Sequence, residues 1–71
     1  MTAEQQYLLN LLEDALVKLV HDRKTEEAEG LGKVVEYLQK EEPEMAYLEG
    51  EALGVDIRVL ETIKKIYKIL Y

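Results

Sequence analysis

No cysteine, serine, tryptophan or phenylalanine occurs in this chain of 71 residues, and histidine, asparagine and proline occur once each. Without cysteine there is no disulfide framework and no thiolate, whether as nucleophile or as zinc ligand. Without serine or cysteine, nucleophilic catalysis falls to Thr2, Thr25 or Thr62 with the sole His21, and none of these lies in a recognisable motif. No phosphate-cradling glycine loop is present. The residues therefore predict no enzymatic activity and imply no cofactor. No apolar run approaches the ~20 residues of a membrane span. Met1-Thr2-Ala3-Glu4 lacks the basic stretch of a signal peptide, so a cytoplasmic setting is expected.

What is present is an ordinary apolar share of 48% and a charged share of 34%, with 15 acids against 9 bases for a net charge of -6. The length predicts one domain over residues 1–71. A domain this short buries only ~60% of its unfolded surface, so tight helix packing or a second chain must supply stability beyond about 5 kcal/mol.

The helical period dominates. Thr2 and Gln5 fit a capping box, and Tyr7, Leu8, Leu11, Leu12, Ala15, Leu16, Leu19 and Val20 follow the i, i+3, i+4, i+7 spacing. A helix is predicted over about 3–21. A second runs to about 41 and starts near 25, at Thr25 with Glu26 and Glu27 behind it, or near 31, with Gly30 and Gly32 marking the boundary between two helices. Pro43 opens a short third helix over about 43–53. Gly54 fits a left-handed cap, Asp56 fits an N-cap, and Val55 with Leu60 is spaced for a hydrophobic staple. The last helix is predicted over about 57–71. The expected fold is all-α, a compact bundle of four helices open to completion by self-association.

Charge is uneven along the chain. Residues 1–30 carry seven acids and three bases, residues 31–55 six and two, and residues 56–71 two and four. Arg58, Lys64, Lys65 and Lys68 give the last helix a cationic outer stripe. Leu53-Gly54-Val55, followed by Leu60 and Ile63, resembles the middle of a helix-turn-helix unit, with Gly50 at that motif's small position. The resemblance covers about 20 residues and implies DNA binding through 46–68, with phosphate contacts from Arg58, Lys64, Lys65 and Lys68. The sequence departs from the motif at Glu49, where an apolar residue is usual. Ile57, Arg58, Glu61 and Thr62 would face the bases, a set poor in base-reading groups. The net charge opposes phosphate binding. The stretch also superficially resembles acyl carrier proteins, acidic four-helix domains with a prosthetic-group serine. Ile57 follows Asp56 here, so that chemistry is closed.

Other clusters read more simply. His21 with Asp22 is half a metal site at most, since zinc needs three or four protein ligands. Glu26-Glu27-Glu29 and Glu41-Glu42-Glu44 lack the spacing of a calcium loop and read as solvated helix ends, with phosphate mimicry toward a basic partner left open. The segment from Lys64 to Tyr71 reads as a core helix rather than a membrane-surface helix, because an acidic protein is repelled by anionic lipid.

Both terminal helices carry more apolar residues than 71 positions can bury. Surplus apolar surface marks an interface, with Leu9, Leu16, Ile66 and Ile69 as candidates. The expected protein is a non-enzymatic acidic helical interaction module. It would form a homo-oligomer or bind a larger protein, as an accessory or inhibitory protein or an engineered scaffold. The alternative is a small helix-turn-helix regulator. The enrichment in Glu and Lys hints at a heat-stable source.

Overall fold

The computed structural model describes residues 1–70. Four helices follow one another: α1 (Ala3–His21), α2 (Thr25–Gln39), α3 (Pro43–Ala52) and α4 (Ile57–Tyr67). The first begins as its sequence dictates. The Gln5 amide donates to Thr2 Oγ1 at 3.1 Å while the Thr2 amide donates to Gln5 Oε1 at 3.1 Å, which closes the capping box.

Helix α2 starts at Thr25 and runs unbroken through Gly30 and Gly32. Close packing accounts for Gly30, whereas Gly32 is carried at its propensity cost. A Cβ on Gly30 would lie 3.1 Å from Val55 Cγ2, and one on Gly32 3.9 Å from Leu16 Cδ1. Gly30 thus lets α2 approach the α3–α4 turn. The residue preceding α2, Lys24, supplies no side-chain cap.

All four helices end in the same left-handed turn, but only one uses glycine. After α3, Gly54 takes φ +75°, and the Val55 amide reaches back to the Gly50 carbonyl at 2.9 Å. After α1, Arg23 takes φ 60° and the Lys24 amide bonds the Leu19 carbonyl at 3.0 Å. After α2, Glu41 takes φ 58° and the Glu42 amide bonds the Tyr37 carbonyl at 2.9 Å. Lys68 at φ 56° ends α4, with the Ile69 amide on the Lys64 carbonyl at 2.9 Å. The last helix is therefore shorter than its apolar period predicts. Its expected final residue, Tyr71, lies outside the described residues.

The helices form a ring in which α1 packs on α2 and more lightly on α4, while α3 packs on α2 and α4. Leu38, Leu60, Ile63 and Val34 are the largest fully buried side chains, surrounded by Leu8, Leu9, Leu12, Leu31, Val35, Tyr47 and Ile69. The Cα radius of gyration is 11.1 Å, matching the ~11 Å of a compact chain of this length. Gln39 Nε2 donates to Glu13 Oε2 at 3.0 Å and ties α2 to α1 at the surface.

Candidate interaction surface

The corner between α3 and α4 is built from small residues. Gly50 faces Leu60 of α4 and Val34 of α2 at close range. A Cβ there would stand 2.7 Å from Leu60 Cδ2 and 2.9 Å from Val34 Cγ2, inside normal carbon–carbon contact. Gly54 then turns the chain, and Asp56 restarts it. Asp56 Oδ1 accepts from the Arg58 amide at 2.8 Å, and Arg58 Nη2 donates to Asp56 Oδ2 at 2.9 Å. These bonds hold the Asp56 carboxyl below its ordinary range, the guanidinium contact first and the backbone amide second. The chain thus turns at Gly54 between the end of α3 and the start of α4.

Two outward faces flank this corner. On α4, Ile57, Arg58, Glu61, Thr62 and Lys65 are exposed, opposite buried Leu60 and Ile63. Two of them are already engaged within the chain. Arg58 is held by Asp56, and the Thr62 hydroxyl donates to the Arg58 carbonyl at 2.7 Å. Lys64 is half-buried, its Nζ 5.8 Å from the centre of the Tyr47 ring. On α3, Met45, Leu48 and Ala52 are exposed and recur at i, i+3, i+7, opposite buried Ala46 and Gly50. This apolar stripe was hidden in the sequence. Met45 and Leu48 are out of phase with Ala46 and Gly50 around the helix.

The four interface candidates fare differently. Leu9 is 4% exposed and Ile69 7% exposed, so both are spent inside the chain. A charge placed on either would meet the core rather than a partner. Leu16 and Ile66 are half-buried against the core. The apolar surplus of α1 instead lies at Tyr7, Leu11, Val17 and Val20, all more than 45% exposed. The physical reason is that α1 meets α2 and α4 but not α3, so a stripe wide enough for three neighbours covers only two.

Several acidic groups stand at the positive helix ends. Glu26 and Glu27 line a cleft of about 360 Å³ together with Leu53, Gly54, Val55 and Asp56. Glu42 precedes α3 and Glu44 lies in its first turn. Glu41 meets the Met1 ammonium at 3.6 Å. His21 Nδ1 lies 3.6 Å from Asp22 Oδ1 on an exposed surface. Among the described residues, no group of three or more His, Asp or Glu is arranged to hold a metal ion, and no helix is long and apolar enough to cross a membrane. The Tyr67 hydroxyl is buried with no hydrogen-bond partner among the described residues, although its ring is half-exposed. That burial, and secondarily the charge of Glu41, pushes its pKa up.

No protein-family model matches the chain, and no curated protein or solved structure gives a significant match.

Proposed function

We propose that the chain is a non-enzymatic helical protein–protein interaction module that associates with itself or with a larger protein. A cytoplasmic setting belongs to the same proposal. The supporting observation is the apolar surface left outside the core. Tyr7, Leu11, Val17 and Val20 on α1, with Met45 and Leu48 on α3, stay in solvent on a chain with only 5002 Å² of surface. Exposed apolar residues on two helices of so small a domain are the ordinary signature of a surface that a partner covers. Sedimentation velocity across micromolar to millimolar concentration tests this. The expected result is a mass that rises with concentration. A constant monomer mass, with no partner co-purifying from the native host, would remove the support.

A DNA-binding regulator using 46–68 is the second reading, favoured by the register of the Gly50–Gly54–Asp56 corner. Its electrostatics weigh against it. In that motif the first helix crosses the phosphate backbone, and here its start is flanked by Glu42 and Glu44. Asp56 and the nearby Glu26 and Glu27 would also face a polyanion. Arg58, Lys64, Lys65 and Lys68 remain the candidate phosphate contacts. A titration of labelled duplex DNA at low salt separates the readings, because attraction is strongest there. The interaction module is expected to leave DNA unbound. Micromolar binding abolished by Arg58→Glu with Lys65→Glu would promote the second reading.

A further inference from the structure

We propose that the outward face of α3 and α4 is a homodimer contact, in which α3 of one copy lies against α4 of a second copy. This rests on the self-association reading and goes beyond it by naming the face and its occupant. Two observations carry it. The first is the apolar stripe Met45–Leu48–Ala52, continued across the turn by Ile57, which is 59% exposed. The second is charge. Helix α3 carries three acids and no base, while α4 with Lys68 carries four bases and one acid. Glu49 and Glu51 flank the stripe on one helix, and Lys65 and Lys68 stand on or beside the other. Among the described residues none of these four forms an ion pair.

A twofold axis between the helices meets both needs at once. In an isologous contact each acidic α3 faces the partner's basic α4, so every opposite-charge pairing is made twice. The apolar stripe is covered in the same step. The area required is modest. A specific pair at the small end of the range buries about 600 Å² per copy, roughly an eighth of the chain's 5002 Å². A single-signed partner could satisfy only one of the two helices, whereas a second copy satisfies both.

Charge reversal distinguishes this from general repulsion between acidic chains. The double variant Glu49→Lys with Glu51→Lys moves the net charge from -6 toward zero, so non-specific repulsion falls. It is nevertheless expected to weaken the dimer at least tenfold, because four attractions become repulsions. The reciprocal variant Lys65→Glu with Lys68→Glu is also expected to be monomeric. An equimolar mixture of the two should recover a dimer mass by sedimentation equilibrium. Glu51, Lys65 and Lys68 are exposed and Glu49 is half-buried, and far-UV circular dichroism checks that each variant stays folded. A wild-type dimer that both variants leave intact, but that Leu11→Glu dissociates, would overturn this face while keeping self-association. A wild-type chain monomeric to millimolar concentration would overturn both. Duplex DNA binding lost with Lys65→Glu and Lys68→Glu, in a chain that never dimerises, would assign the cationic face to nucleic acid instead.

Discussion

Replacing Gly50 by alanine asks whether the α3–α4 corner is held by close approach or merely tolerates a glycine. Two effects oppose each other. Alanine in a helix interior is favoured over glycine by about 1 kcal/mol. Against that, the added methyl would stand 2.7 Å from Leu60 and 2.9 Å from Val34, where carbon atoms prefer ~3.5–4.0 Å. Both neighbours are fully buried, so neither can rotate into solvent. Overpacking a well-filled core costs about 1–3 kcal/mol, and two simultaneous clashes belong at the upper end. The net expectation is a loss of about 1–2 kcal/mol, a Tm lower by about 4–16 °C for a domain of this size. Gly32→Ala is the matched control. Its methyl would meet Leu16 at 3.9 Å, an ordinary contact, so propensity acts alone. That variant is expected to gain about 1 kcal/mol, or ~4–8 °C. Thermal melts followed at 222 nm on both proteins give the comparison. A Gly50→Ala chain as stable as the parent, or one that shifts with Gly32→Ala, would refute the close-approach account.

Glycine at Arg23, Glu41 or Lys68 should raise stability by about 0.5–1 kcal/mol each, because each now holds a left-handed backbone against its own Cβ. Denaturant midpoints at constant m-value check this. Asp56→Ala should lower Tm by removing the N-cap of α4. In the parent the Asp56 carboxyl is held below its ordinary range, so its stabilising contribution is present above about pH 4 and lost as the pH falls through the lower folded value. Acid melts of parent and variant should therefore converge toward pH 2. Tyr67→Phe should raise Tm, since the buried hydroxyl has no partner among the described residues. Because the folded pKa is raised, the parent should also lose stability as the pH climbs past about 10, and the variant should lack that alkaline component.

The starts of α1, α3 and α4 were legible because they use side-chain chemistry that acts locally: Thr2 with Gln5, Pro43, and Asp56. The stop at Gly54 was legible for the same reason. The stops at Arg23, Glu41 and Lys68 were not, because a left-handed arginine, glutamate or lysine carries no compositional mark. The start of α2 was ambiguous because Gly30 and Gly32 look like breaks; close packing against Val55 explains Gly30, while Gly32 is simply tolerated inside the helix. The apolar surplus was legible as an amount but not as a location. Leu9 and Tyr7 are equally apolar, and only the ring order of the helices decides that Leu9 turns inward and Tyr7 outward. The stripe on α3 was missed because two apolar sets of opposite phase share ten residues. The helix-turn-helix register was visible in Gly50, Gly54 and Leu60, whereas the acidic surroundings of the corner needed the fold, which brings Glu26 and Glu27 to it from α2.

Sedimentation equilibrium at concentrations from 5 µM to 1 mM tests the central claim, that this chain's outward apolar faces exist to be covered by protein. Self-association is expected to carry the weight-average mass from the 8.2 kDa of one chain toward twice that value as concentration rises. A mass fixed at 8.2 kDa over the whole range, with no partner co-purifying from the native host, would contradict it.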